Sequence, residues 1–370
     1  LSRRVDAAPD TWIYREQLAG ALLGRGRLTG DWANYAQARE QLDAAMTQPN
    51  AGPWGTLAAL QDSTHQLDAL GPSLDRLGQT FPRNTTTQAD LAGRRGNLAL
   101  LRGQYAEARL LLEQAVALHE SPTSLSSLAV WFWRTGDLDA AEALFVRAAS
   151  QYHSPAAEPR AWFHLNLGLL DLDRGAWADA LAHYRDAERE LSGYWLVDEH
   201  IAEVLEHLGR GAEAEALYRD IIERTDAPEF MDALCDLLAQ RGQSEEAARW
   251  RFEARRRWEA ALALFPEAAY GHALSHYLAS DDGQERALEL AQANHRLRPE
   301  GESKVSLARA LLAVGRALES QQLIEEALAS PFESADLHDA AAEVYEALGL
   351  AGQADAERSA ARHLRPHGQG

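Results

Sequence analysis

Apolar and small residues recur along the chain in an order that predicts two short helices joined by a glycine turn. The segment 96–120, GNLALLRGQYAEARLLLEQAVALHE, gives a small residue, an apolar run, a glycine, and an alanine that opens a second apolar helix. Segments 129–153, 168–192 and 202–226 repeat this order. Apolar positions three and four residues apart are typical of amphipathic helices, so the pattern predicts a series of helical hairpins.

The alanine that opens each second helix marks the period, because successive examples lie 33 to 40 residues apart. A glycine near the end of the first helix predicts a left-handed C-terminal residue there. The alanine positions are Ala108, Ala141, Ala180, Ala214, Ala247 and Ala287, followed by Ser320 and Ala354. The glycine positions are Gly103, Gly136, Gly175, Gly209, Gly242, Gly315 and Gly349.

A two-helix period of about 34 residues resembles the tetratricopeptide repeat, and the resemblance covers roughly residues 11–365. Phe145, Tyr184 and Tyr218 occupy its aromatic position in the second helix. The resemblance implies an all-α solenoid of about ten helix-turn-helix repeats that forms one right-handed superhelical array over residues 1–370.

Within this array we expect two degenerate repeats over 11–81 and eight regular repeats over 88–365. The glycine-rich stretch 24–32 is expected to lengthen the turn of the first hairpin. Extra residues are expected in a loop at 154–159, which contains proline, and in a longer second helix over 254–268.

The composition of the chain restricts the possible binding partners more than it restricts the possible activity. The formal net charge of −20 disfavours nucleic acid and anionic lipid and favours basic peptides or cations, although such charge also serves solubility alone. The single cysteine, Cys235, lies in an apolar helical run and is expected to be a small core residue. It permits no intrachain disulfide and no zinc site of several cysteines.

Localisation and oligomeric state stay open. No apolar run approaches the ~20 residues that cross a bilayer. The chain begins at Leu1 instead of Met, so an upstream signal removed after export and a bacterial cytoplasmic protein both fit.

In the tetratricopeptide family the first helices line a concave groove where partners bind. Helical periodicity then predicts which side chains face that groove. The N-terminal half of the groove is predicted to be apolar and to comprise Val130, Trp133, Trp162, Leu165, Leu169 and Leu172. Alternatively, a closed superhelix buries these side chains. The C-terminal half of the groove is predicted to be acidic and to comprise Glu199, Glu203, Glu206, His207, Asp232, Asp236, Asp339, Glu343 and Glu346. Alternatively, these positions are only a solvated helix face.

His272 and His276, in GHALSHYLASDDG, are four residues apart and share a helix face. They are interpreted as polar wall residues, as hydrogen-bonding contacts to a partner, or as half of a metal site that acidic neighbours complete.

The sequence contains no nucleophile elbow, phosphate loop or Cys–His pair, so neither catalysis nor a cofactor is predicted. The leading interpretation is a non-catalytic scaffold that binds a protein or peptide, possibly basic, in its groove. The alternative is a metal-handling protein, and an enzyme hosted on the helical array ranks third.

Overall fold

The computed structural model describes residues 1–48, 52–80, 84–280 and 282–368. In these ranges the short helix α1 (Ser2–Ala7) precedes ten helical hairpins, and no β-strand is formed. The hairpins are α2 (Trp12–Thr29) with α3 (Trp32–Met46), α4 (Trp54–Ser63) with α5 (Leu67–Thr80), α6 (Thr85–Leu101) with α7 (Tyr105–Leu118), α8 (Pro122–Arg134) with α9 (Leu138–Ser150), α10 (Ala157–Asp173) with α11 (Trp177–Glu190), α12 (Trp195–His207) with α13 (Gly211–Thr225), α14 (Pro228–Gln240) with α15 (Ser244–Leu264), α16 (Pro266–Leu278) with α17 (Gln284–Leu297), α18 (Gly301–Ala313) with α19 (Ala317–Leu328), and α20 (Ala335–Ala347) with α21 (Ala351–Leu364).

The repeated small and aromatic positions form the contacts between helices, as predicted. The eight residues that open the second helices, from Ala108 to Ala354, are at most 4% exposed. Phe145, Tyr184 and Tyr218 are buried beside them, and Cys235 is also buried. A small side chain at a crossing lets two helix backbones approach closely, which explains why the sequence repeats it.

The seven glycines that end first helices adopt the left-handed conformation, with φ between 68° and 80°. This confirms the predicted C-terminal caps. Helix α15 (Ser244–Leu264) is long, as expected, but it ends at Leu264, and residues 266–268 begin α16 instead of extending the second helix.

The predicted long turn over 24–32 is wrong. Helix α2 runs without interruption to Thr29, and the connection to α3 contains only Gly30 and Asp31. Gly30 is left-handed and closes α2 through its N–H to the Gly26 carbonyl, while the Asp31 side chain caps α3. Gly24 and Gly26 therefore continue the helix and do not extend a turn.

The solenoid winds tightly enough for hairpins six apart to touch. The Tyr105 hydroxyl of the third hairpin accepts a hydrogen bond of 2.9 Å from the Gly301 N–H of the ninth. Thr135, after α8, forms an isolated bridge with Glu333, just before α20. The His367 N–H donates to the Arg174 carbonyl at 3.2 Å. Successive turns of the superhelix are thus in direct contact, and side chains from two turns meet.

Candidate functional site

An apolar cavity of about 530 Å³ lies where two superhelical turns meet. Helices α6, α8 and α10 and the start of α7 supply one side, and the start of α18 and the residues just before α18 and α20 supply the other. We call it the apolar cavity. Its apolar lining is Leu100, Leu101, Tyr105, Pro122, Val130, Tyr152, Pro159, Trp162, Phe163 and Phe332, and its polar lining is Asn97, Thr123, Ser126, Ser127, Arg134, Glu158, Glu300 and Glu302.

Aromatic packing holds the α10 side of the cavity in place. The ring of Trp162 lies 5.8 Å from that of Phe145 at 73°, and 5.6 Å from that of Phe163 at 72°. Phe163 also makes an edge contact with Tyr152. Such edge-to-face pairs orient the rings in addition to burying them. Trp162 is therefore a fixed wall that keeps part of its surface accessible.

Charged groups surround the cavity and come from both turns. Arg134, at the end of α8, forms an ion pair with Glu302 of α18. Glu158, at the start of α10, pairs with Arg27 of α2 at 3.2 Å. Glu300 accepts hydrogen bonds from the N–H groups of Glu302 and Ser303 and so caps α18. The cavity thus combines an apolar interior with a polar rim, which is the usual composition of a ligand pocket.

The predicted apolar groove residues separate into three groups. Val130 and Trp162 line the apolar cavity, while Trp133 lines a neighbouring cavity of about 310 Å³ and donates its indole N–H to Asp173. Leu169 and Leu172 are partly buried against the core. Leu165 is 2% exposed and belongs to that core, so its placement on the groove is wrong.

Four predicted acidic residues are held in ion pairs within the chain. Asp236 pairs with Arg251 at 2.6 Å and Asp339 with Arg365 at 2.5 Å. Glu343 pairs with Arg309 at 3.2 Å, and Glu346 pairs with Arg358. Opposite charges at these distances largely neutralise one another, so these residues present less negative charge than the sequence suggests.

Other predicted polar residues contact neighbouring helices. Glu206 accepts a hydrogen bond from Tyr218, and the exposed His207 stacks on Trp177 with ring centroids 4.2 Å apart. Asp232 accepts a hydrogen bond of 2.8 Å from the indole of Trp258. These contacts give each of the three side chains a role inside the fold.

Glu199, Glu203 and Glu229 form an acidic cluster on α12 and α14. The Oε2 atom of Glu203 lies 3.0 Å from Nδ1 of His200, within hydrogen-bond distance. Burial raises the pKa of Glu199 to about 7, and His200 and Glu203 modify it less. Burial likewise raises the pKa of Glu229 to about 7, with a further contribution from Glu199. Periodicity alone missed Glu229, although it lies one helical turn before Asp232 on the same face.

We expect Glu199→Gln to stabilise the protein at high pH only. An unfolded Glu titrates near 4.5 and the folded Glu199 near 7, so folding stability falls as pH rises through that window and stays low above it. The amide carries no charge, so the variant should gain roughly 1–2 kcal/mol at pH 8 and little at pH 5.

Thermal unfolding of both proteins at the two pH values measures this difference. Glu223→Gln, at an exposed position on α13, is the control and should change little at either pH. An equal gain for Glu199→Gln at pH 5 and pH 8 would mean that ionisation of this carboxyl does not limit stability.

The histidine pair is divided between two environments. His276 is 1% exposed, and its Nδ1 lies 2.7 Å from an Asp232 carboxylate oxygen. His272 is exposed and stacks with Trp258 at 6.3 Å. Within the described ranges, neither belongs to a group of three or more donors close enough to share one ion. A metal site centred on this pair therefore has no third ligand among those residues.

Tyr105 of the third hairpin and two residues of the next superhelical turn, Glu300 and Phe332, were not predicted for the site. They line the cavity because distant hairpins stack on one another. The sequence of a single repeat does not indicate this contact between turns, because the contact arises from the rotation that accumulates over six hairpins. The exposed Phe252, by contrast, lies outside the cavity.

The sequence matches no protein-family model and no curated protein. Solved structures with a similar fold are tetratricopeptide repeat proteins. Yeast Tom70 shares 13% identity at a TM-score of 0.50, over 97% of this chain and 84% of Tom70. A chain of the APC/C hetero-tetramer Cut9-Hcn1 shares 15% identity at 0.48, over 91% of this chain. PilF of Pseudomonas aeruginosa shares 17% at 0.40, over 66% of this chain and 98% of PilF.

This chain spans 64% of the length of the matched Cut9-Hcn1 chain. In the described residues no helix is both long enough and apolar enough to cross a membrane. The all-helical hairpin array and the likeness to Tom70 agree with the repeat spacing of the sequence. The chain therefore has the α-solenoid fold of tetratricopeptide repeat proteins.

Proposed function

We propose that this protein is a non-catalytic scaffold that binds an extended segment of a partner protein. The observation that carries the proposal is the apolar cavity, where Val130 and Trp162 keep accessible surface in a concave site. Accessible apolar surface in a concavity is costly in water and is typical of binding sites. An apolar or aromatic side chain of the partner fits this cavity.

Charge complementarity supports a partner segment with basic residues. Glu199, Glu203 and Glu229 form an acidic cluster on α12 and α14, and the whole chain carries a formal charge of −20. A basic group near Glu199 and Glu229 favours their ionised forms and so lowers their pKa. Long-range attraction mainly raises the association rate, and its reach is limited to ~8 Å at physiological salt.

A display library of random peptides, selected on the purified protein, provides the ligand. We expect selected peptides to combine an aromatic or aliphatic residue with Lys or Arg. Thr123→Trp adds a large side chain at the exposed rim of the cavity and should weaken binding of a selected peptide about 10-fold or more. Isothermal titration calorimetry at two salt concentrations measures the affinity and its electrostatic part.

The control is Leu110→Trp, which adds the same side chain at an exposed position on α7 outside the cavity. It should leave the affinity unchanged. Equal affinities for wild type and Thr123→Trp would show that the peptide binds elsewhere. If the affinity does not fall as the salt concentration rises, the electrostatic part of the proposal is wrong, while the proposed binding at the apolar cavity stands.

A further inference from the structure

Three potential metal ligands meet on the hairpin of α10 and α11. His164 lies on α10, and His183 and Asp186 lie three residues apart on α11. One donor atom from each lies within 4.8 Å of the other two. The predicted pair His272 and His276 is on a different hairpin and contributes nothing to this group.

The helix crossing explains why these side chains converge. Gly168 on α10 faces the ring of Tyr184 on α11, where a Cβ atom would come within 2.3 Å of the ring. His164 lies one turn before Gly168, and His183 immediately precedes Tyr184. The close backbone approach at the crossing therefore brings the two imidazoles together, with ring centroids 6.3 Å apart.

Both imidazoles have a nitrogen that lacks a partner. The Nδ1 atoms of His164 and His183 are buried and form no hydrogen bond. A buried polar atom without a partner is destabilising, and a bound cation would satisfy two such atoms together.

The other nitrogen of His183 faces a carboxylate. Its Nε2 lies 3.7 Å from Asp171 Oδ2. A metal-bound histidine commonly directs its second ring nitrogen toward a carboxylate, which fixes the ring and raises its basicity. Asp171 therefore lies beside Nε2 of His183, while Nδ1 of the same ring has no hydrogen-bond partner.

We propose that His164, His183 and Asp186 bind one divalent transition-metal ion, represented by Zn²⁺. Two imidazoles and one carboxylate suit Zn²⁺ and its neighbours better than Mg²⁺ or Ca²⁺, which prefer oxygen ligands. Three protein ligands leave the fourth tetrahedral position for water.

Two local changes complete the site. Tetrahedral ligands of Zn²⁺ are ~3.3 Å apart, so donor atoms that now lie within 4.8 Å of one another must draw together by up to ~1.5 Å. Asp186 must also break its ion pair with Arg189 in order to bind the metal. The Arg189 side chain is 71% exposed, so water readily replaces that pair.

The bound ion would cross-link the two helices of this hairpin. His164 directly follows Trp162 and Phe163, which line the apolar cavity. The metal would therefore fix the helix that presents this aromatic wall. This role does not depend on the proposed binding of a partner segment, because metal binding is measured without any peptide.

The experiment titrates chelator-treated, full-length protein with ZnCl₂ by calorimetry at neutral pH. We expect one ion per chain at this site, a higher unfolding temperature with Zn²⁺, and about 10-fold or greater weakening in His183→Gln and in Asp186→Asn. Co²⁺ as a second probe should give the intense visible absorption of a tetrahedral complex in wild type and lose it in His183→Gln.

His153→Gln, which removes an exposed imidazole from the preceding loop, is the matched control and should bind as wild type does. Circular dichroism confirms that each variant is folded, and Asp186→Asn keeps the shape of the partly exposed side chain and so perturbs packing least. Absence of a stoichiometric site in wild type, or unchanged affinity in both His183→Gln and Asp186→Asn, would overturn the proposal. Equal binding of MgCl₂ would overturn the assignment to transition metals.

Discussion

Gly168→Ala is expected to lower the free energy of unfolding by about 3 kcal/mol, although alanine forms helix better than glycine. A Cβ at position 168 would lie 2.3 Å from Cε1 and 2.6 Å from Cδ1 of Tyr184. Tyr184 is fully buried, so its ring has no open space into which to move. Overpacking at this crossing therefore separates α10 from α11, and urea unfolding followed by circular dichroism measures the loss.

Gly20→Ala is the matched control, because Gly20 is also inside a first helix but a Cβ there would meet nothing within 4 Å. This substitution should stabilise the protein by up to ~1 kcal/mol through helix propensity alone. Opposite signs for the two variants are therefore expected. Stabilisation by both would mean that the α10–α11 crossing adjusts freely, which would also weaken the argument for the adjacent histidine cluster.

The repeat spacing predicted these crossings because their cause is local. Gly96 occupies the same position two units earlier, and a Cβ there would lie 2.7 Å from Leu112. Each hairpin needs a small residue at the crossing, so the requirement recurs with the period of the repeat. Local geometry of this kind leaves a periodic signal that a single sequence reveals.

Contacts between superhelical turns leave no such signal. Gly103 was predicted only as a helix cap, yet a Cβ there would also lie 2.6 Å from the Pro299 carbonyl. The Tyr105–Gly301 hydrogen bond joins residues 196 positions apart. These contacts depend on the rotation between successive hairpins, which accumulates over six units and is set by small packing differences. The apolar cavity depends on the same rotation, so the sequence predicted part of its wall but not its closure.

Groove-facing positions were the least predictable because neighbouring positions on a helix differ by about 100°. Leu165 and Leu169 are one turn apart on α10, yet the first is buried in the core and the second is partly exposed. The periodicity of apolar positions identifies which face of a helix is apolar. It does not identify how deeply each side chain on that face is buried, because burial depends on the next hairpin. The histidine pair shows the same limit, since His276 is buried while His272 is exposed.

Asp232→Ala is expected to destabilise the fold by about 4 kcal/mol. One carboxylate oxygen lies 2.7 Å from Nδ1 of His276, and the other accepts the indole N–H of Trp258 at 2.8 Å. Both partners are buried, at 1% and 4% exposure. Removing the carboxylate leaves two buried polar groups without partners, and each costs about 1–3 kcal/mol. Urea unfolding of the variant, compared with wild type, measures the total.

Asp236→Ala, one turn further along α14, separates this structural role from a role in partner binding. Asp236 pairs with Arg251, but its side chain is 54% exposed, so its loss should cost no more than ~1 kcal/mol. The same pair of variants is then titrated with a selected peptide. If Asp232 only joins α14 to α15 and α16, its folded variant binds the peptide as wild type does. Unchanged stability with lost affinity would instead make Asp232 a partner-binding residue, because only a contact outside the chain would then explain its effect.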